Sequence, residues 1–272
     1  ANDAAGVNAG DTIHLEPSAT NYGNLNTNKP LVWISTGGLL SANPGLQASP
    51  TPGTIGQLIV SNGSANSVFY INSNGGIYIG TNNVRFENCY LESGVTIGYS
   101  GSANNTSLIR CFLNSTLNFS SSSTNCIISN NIINYYLQMG SGSSAIITNN
   151  VIDYINGANG LSIYNSTFQN NIINKGSDYL FTNCSINNNI CSTTNLPVGN
   201  GNINNANMSA VLINNNGTDD VNAQLKAGSP AIGTGISGVD MGAFGGAIHY
   251  AWGAQTPVTS ICKMVERASG NG

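Results

Sequence analysis

Six segments of the chain repeat one short pattern, and few folds can accommodate it. Residues 84–91 read Val-Arg-Phe-Glu-Asn-Cys-Tyr-Leu, and residues 107–113 read Ser-Leu-Ile-Arg-Cys-Phe-Leu. Ile-Ile-Ser-Asn-Asn-Ile-Ile-Asn follows at 127–134 and Ile-Ile-Thr-Asn-Asn-Val-Ile-Asp at 146–153. Phe-Gln-Asn-Asn-Ile-Ile-Asn stands at 168–174 and Ile-Asn-Asn-Asn-Ile-Cys at 186–191. The first polar residues of the central pairs are Asn88, Arg110, Asn130, Asn149, Asn170 and Asn188, at steps of 22, 20, 19, 21 and 18 residues. A period near 20 marks a solenoid. Each unit is two short β-prone runs bent about a polar pair, too thin to bury a core alone, so the units must bury one another. The expected fold is all-β, a right-handed parallel β-helix with about 20 residues per rung.

Stacking turns sequence positions into columns. Phe86, Leu108, Ile128, Ile147, Phe168 and Ile186 form one apolar column; Tyr90, Phe112, Ile132, Val151, Ile172 and Ile190 form another. Between them lie Cys89, Cys111, Asn131, Asn150, Asn171 and Asn189. Neighbours in a column sit roughly 4.8 Å apart, a spacing at which amides hydrogen-bond to one another along the stack. Asn131, Asn150, Asn171 and Asn189 are therefore expected to form a structural ladder. Asn also tolerates the left-handed backbone of a sharp turn. For Cys89 and Cys111, on adjacent rungs, a disulfide and a pair of buried thiols are both open alternatives.

This architecture accounts for an unusual composition. Of 272 residues, 40% are apolar but only 7% are charged, against roughly 25% charged in an ordinary domain. No apolar run reaches the ~20 residues of a membrane-spanning helix, and regularly placed aliphatics argue against disorder. A net charge of −4 without a basic cluster argues against nucleic acid as a partner. The six cysteines make no CxxC or Cys/His spacing, which argues against zinc. A surface of Asn, Ser and Thr with almost no Lys suits an extracellular or cell-surface location, and the absence of an initial Met suits a processed or excised segment.

Along the chain, Asp11–Leu15, Gln57–Val60, Val68–Ile71, Ile77–Ile79 and Val211–Ile213 read as strands, and 35–56 reads as a loop thrown out of the coil. Two motifs frame them. Asn8-Ala-Gly-Asp-Thr-Ile13 with Asn28-Lys-Pro-Leu-Val-Trp-Ile34, and Leu225-Lys-Ala-Gly-Ser-Pro-Ala-Ile232 with Asp240-Met-Gly-Ala-Phe-Gly245, resemble the opening and ending of secreted bacterial right-handed β-helix proteins. That resemblance implies a single β-helix domain over 1–246. It leaves 247–272 as a C-terminal tail exchanged with or docked on a neighbour, in which Thr256–Cys262 reads as an edge or donated strand. Gly233 stands where that family commonly has Asp.

The titratable residues offer little chemistry. An inverting glycosidase needs two carboxyls roughly 6.5–9.5 Å apart, and a lyase of the pectate type needs clustered carboxylates for Ca²⁺ with a basic residue beside them. Glu92 and Asp153 share a column but stand three rungs apart, about 14 Å. Glu87, between Arg85 and Arg110, reads as an ion network. Asp219 and Asp220 are the one metal candidate, for Ca²⁺; no other cofactor is expected. His14 and His249 read as structural. The expected function is a non-catalytic extracellular structural or adhesive module, a fibre subunit joined to its own kind end to end. The alternatives are a polysaccharide lyase or glycoside hydrolase with a loop-built site, and a glycan-binding module using Tyr135, Tyr136, Tyr154 and Tyr164.

Overall fold

A computed structural model describes residues 6–43, 49–120, 122–153, 161–176, 179–217, 219–251 and 253. The chain winds into a solenoid of three parallel sheets, each complete coil giving one strand to each sheet. The first sheet has nine strands, running from Thr12–His14 to Ser185–Asn187. The second has eight, from Leu25–Thr27 to Tyr179–Thr182, and the third has eight, from Thr54–Ile55 to Ile190–Cys191. Every strand pair is parallel, and the register is the one read from the repeat: Phe86, Leu108, Ile128, Ile147, Phe168 and Ile186 align on successive rungs of the first sheet.

The turn from the first sheet to the third is made by the polar pair. Its first residue adopts left-handed backbone at all six rungs of the repeat: φ is 50° at Asn88, 56° at Arg110, Asn130 and Asn170, 55° at Asn149 and 50° at Asn188. Asparagine reaches this region at lower cost than other side-chain-bearing residues. The second residue of the pair points inward and builds the ladder. Asn131 Nδ2 donates to Asn150 Oδ1 at 3.0 Å, Asn150 to Asn171 at 2.9 Å, and Asn171 to Asn189 at 3.0 Å. Asn189 continues to Asn202 at 3.1 Å, a fifth member supplied by a shorter final half-coil.

Each ladder oxygen also accepts the backbone N–H of the preceding ladder position, as Asn131 N to Asn150 Oδ1 at 2.9 Å, and each Nδ2 also donates to a carbonyl one coil back, as Asn150 Nδ2 to Ile128 O at 2.9 Å. From Asn150 to Asn189 two donors and two acceptor sites are thus filled per amide, which is what full burial requires. All four expected members are 0% exposed.

Towards the head of the stack the same column holds Cys89 and Cys111, and both are free thiols. Cys89 Sγ accepts from Ile71 N at 3.3 Å and donates to Phe69 O at 3.2 Å, a one-donor, one-acceptor substitute for the amide. A disulfide does not suit the column: parallel side chains roughly 4.8 Å apart exceed the ~3.8 Å between Cβ atoms that the bond needs.

The second apolar column lies outside the tube. In the short strands of the third sheet the inner residue, such as Leu113, Ile133, Ile152 or Ile173, enters the tube core. The outer residue, such as Phe112, Ile132, Val151 or Ile172, joins a separate core built with Met208, Val211, Leu212, Ala231, Met241, Ala243 and Tyr250. The C-terminal segment therefore lies along the outside of the rod as a strap, and the third sheet is buried on both faces. Val211–Ile213, expected as a strand, is not one. Met208–Val211 is a short helix whose Asn207 side chain accepts from Ser209 N at 3.2 Å. Met208 and Val211 lie three apart and so share one buried helix face.

The left-handed Asn column holds this strap. Asn188 Nδ2 donates to Thr234 O at 2.9 Å, and Asn170 Oδ1 accepts from Ile236 N at 2.9 Å. Asn149 Nδ2 donates to Asp240 O at 3.2 Å, and Asn130 Nδ2 reaches Ala243 O at 3.1 Å and Gly245 O at 2.9 Å. The strap thus descends the stack rung by rung towards the head. Its glycines are required by contact: a Cβ on Gly242 would lie 2.6 Å from Ile172 Cδ1, and one on Gly245 would lie 1.9 Å from Asp240 O. Tyr250 packs against the rod's own strap core. The proposed edge strand at 256–262 and the charged residues 263–267 lie outside the described residues.

Asn150→Ala should orphan the acceptor and donor groups of both neighbouring rungs. With about 1–3 kcal/mol for each buried group left unsatisfied, urea unfolding should show a loss of about 2–4 kcal/mol. The same change at the exposed Asn216, which lies outside the left-handed region, should cost under about 1 kcal/mol.

Candidate functional site

Acidic residues are few enough that the placement of each described carboxylate can be followed. Glu87 projects from the outer face of the first sheet yet is only 5% exposed. Its Oε2 receives Arg85 at 2.5 Å and the Tyr70 hydroxyl at 3.4 Å, and its Oε1 receives Arg110. Both oxygens are occupied, so the Arg85–Glu87–Arg110 ion network expected from the sequence is present. It also gives a reason for an arginine in a left-handed column of asparagines: from that rung the side chain reaches the carboxylate of the coil before. The Tyr70 hydroxyl is pushed above its ordinary pKa, first by burial and then by the charge of Glu87.

Asp153 occupies a second, partial polar column following the third sheet. There Asn134 Nδ2 donates to Asn114 Oδ1 at 3.1 Å, and Asn174 Nδ2 donates to Asp153 Oδ1 at 3.0 Å. Asp153 stands where its neighbours have Asn. Lys175 approaches its other oxygen at 3.5 Å. Burial raises the carboxyl's pKa above its ordinary value, against the opposing pull of Lys175. The register from Leu91 through Leu113 and Ile133 to Ile152 keeps Glu92 three rungs from Asp153, so the two do not form a catalytic pair.

Asp219 and Asp220, proposed above as a calcium pair, part company in the structure. Asp219 is exposed, whereas Asp220 is 0% exposed and opens a short 3-10 turn. Asp220 Oδ2 accepts Gly253 N at 2.7 Å and Oδ1 accepts Asn43 Nδ2 at 3.1 Å, while Gly38 N donates to Gly253 O at 2.9 Å. The buried carboxylate is thus a joint between the end of the strap and the loop after the first sheet's second strand. Among the described residues no group of three or more His, Cys, Asp or Glu is arranged to hold a metal ion. His14 and His249 are both exposed.

Among the described residues, two concavities stand out. One, of about 470 Å³, lies on the outer face of the first sheet over Ile127 and Ile146, between Asn125, Asn165 and Asn183. It opens where Ser144 interrupts a column of turn asparagines. The other, of about 290 Å³, lies near the head between Leu39, Pro52, Asn72, Tyr90 and Glu92. The tyrosines considered for glycans do not gather in either. Tyr135 and Tyr136 contact each other at 5.6 Å, and Tyr164 packs against the tube core. Tyr154 is outside the described residues. Tyr99, 53% exposed against Tyr78 at 4.7 Å, is an exposed aromatic pair that the sequence reading passed over.

Sequence reasoning also missed that the second apolar column and the left-handed asparagines form a docking track. The signal was present in the Ile-Ile and Val-Ile doublets, since successive strand residues face opposite sides and a doublet needs both faces buried. No protein-family model matches the chain, and neither a curated protein nor a solved structure matches it.

The raised Asp153 pKa fixes the sign of a pH effect. An acid whose folded pKa exceeds its unfolded value favours the folded state when protonated. Its contribution is complete below the ordinary carboxylate range, and it is lost as pH rises through the raised folded value. Urea titrations of the wild type and Asp153→Asn across pH 3–8 should show the wild type gaining stability, relative to the variant, as pH falls through that window.

Proposed function

We propose that the chain is a non-catalytic structural or adhesive module of an extracellular or cell-surface protein, a rod that extends by stacking end to end. The observation that carries this reading is where the acidic groups are spent. Glu87, Asp153 and Asp220 are each engaged in holding coils, ladder or strap. The resemblance to secreted bacterial β-helix proteins at both ends of the chain supports the same reading. So does a wall of uncharged amides, because such a surface needs few ionic contacts to stay hydrated. Among the described residues, no helix is long and apolar enough to cross a membrane.

Stacking is favoured by the geometry of the ends. Leu25–Thr27 and Tyr179–Thr182 are the end strands of the second sheet, and all its strands are parallel. A second copy translated along the axis would set its head strand beside the tail strand of the first in the same sense, and such heterologous contacts propagate into filaments. Leu180, at the tail, is 49% exposed.

Sedimentation and electron microscopy at rising concentration should show linear oligomers. Leu180→Lys should suppress them without lowering the unfolding midpoint, since a lysine on an end strand blocks further pairing. Monodisperse monomers at all concentrations would refute end-to-end assembly. Turnover of any member of a panel of acidic and neutral glycans, abolished by Glu87→Gln, would instead establish the enzyme alternative.

A further inference from the structure

The cavity near the head is built by three parts of the chain. The loop after Val32–Ile34 supplies Leu39 and Leu40, its return supplies Pro50 and Pro52, and the third sheet supplies Asn72, Tyr90 and Glu92. The loop is fixed by the buried Asp220 through Asn43, and by Gly38 N to Gly253 O. It is also held where the Asn72 Nδ2 donates to Gly37 O. Gly38 permits this closeness, because a Cβ there would lie 2.0 Å from Tyr90 Cβ.

The lining has a one-sided chemistry. Among the described residues that line it there is no Lys, Arg or His, whereas the exposed Glu92 belongs to it and forms no ion pair with a described residue. Asn72 is 1% exposed, and its Oδ1 is a buried acceptor without a hydrogen-bond partner. Tyr90 stacks on Phe112 at 5.6 Å, which fixes its ring. After burial, the charges of Glu92 and then Asp219 push the Tyr90 hydroxyl above its ordinary pKa, so both carboxylates act on this spot. A carboxylate beside an aromatic ring and aliphatic walls complements an organic cation. The lining also carries the side-chain oxygens of Ser41, Thr54, Asn72, Ser73 and Asn74, but a calcium ion would need six or more oxygens converging on one point, and Glu92 is the one carboxylate among the described lining residues.

We infer that this cavity binds a protonated amine carried on a small apolar body, with Glu92 meeting the charge, Tyr90 its ring face, and the leucine and proline side chains the carbon skeleton. The site is additional to the structural role and does not depend on it.

The test is protein-observed NMR on the full chain with n-butylamine, its neutral counterpart butan-1-ol, and calcium chloride. The amine should shift the resonances of Tyr90 and its neighbours saturably and bind about two- to fivefold more tightly than the alcohol, the scale of one ion pair. Glu92→Gln should remove that preference while leaving alcohol binding unchanged. Because Glu92 is exposed, the variant should keep the wild-type urea midpoint, which separates loss of the site from loss of the fold. Tyr90→Leu should weaken amine binding by a further about two- to fivefold, the worth of an accessible cation–ring contact. No saturable shift, equal affinity for amine and alcohol, undiminished amine binding in Glu92→Gln, or displacement of the amine by stoichiometric calcium would each overturn the proposal.

Discussion

The amide-to-amide hydrogen bond between Asn131 and Asn150, repeated to Asn202, is the contact on which the rest of the molecule depends. A column of buried amides is costly in any fold that leaves one donor or acceptor unfilled. Here the 4.8 Å rung spacing matches the reach of one carboxamide to the next, so each coil completes the hydrogen bonding of its neighbour. Displacing a coil by one residue in one direction would replace that amide with an aliphatic side chain such as Val151 and leave two rungs unsatisfied; in the other it would bring Asn149 inward and set Thr148 at the left-handed turn. The ladder therefore fixes register as well as contributing stability, a task that interchangeable isoleucines in the adjoining columns cannot perform.

The two residues of the Asn-Asn pair divide the work by direction. One faces in and binds coil to coil; its predecessor, in left-handed backbone, faces out and binds the strap. A chain with so few charged residues thus obtains both its long-range specificity and its cover from neutral amides. Ion pairs occur where the pattern is broken, at Arg110 in the turn column and at Asp153 in the second ladder. Each substitution brings its own counter-charge on an adjacent coil or strand residue.

Much of this was legible in the sequence. The period, the inward column from Phe86 to Ile186 and the ladder of Asn131, Asn150, Asn171 and Asn189 follow from local repetition, which stacking converts directly into three dimensions. What was not legible depends on contacts between distant, non-repeating segments. Nothing local distinguishes Val211–Ile213 as part of a helix or marks Asp220 as a buried joint to Gly253, because their partners lie across the fold. The cysteine column shows the same limit: sequence placed Cys89 next to Cys111 but did not say whether two parallel side chains at rung spacing would be bonded.

The strap has a further consequence for how the molecule comes into being. Translation delivers the coils first and their cover last, so Phe112, Ile132, Val151, Ile172 and Ile190 spend the interval as a wet aliphatic ridge along a finished tube. During that interval the nascent rod is a sticky object, and its solubility rests on the promptness with which its own trailing residues lie down. Closure must also be directional, because the stretch nearest the last coil emerges first and has its anchor, Asn188, waiting beside it.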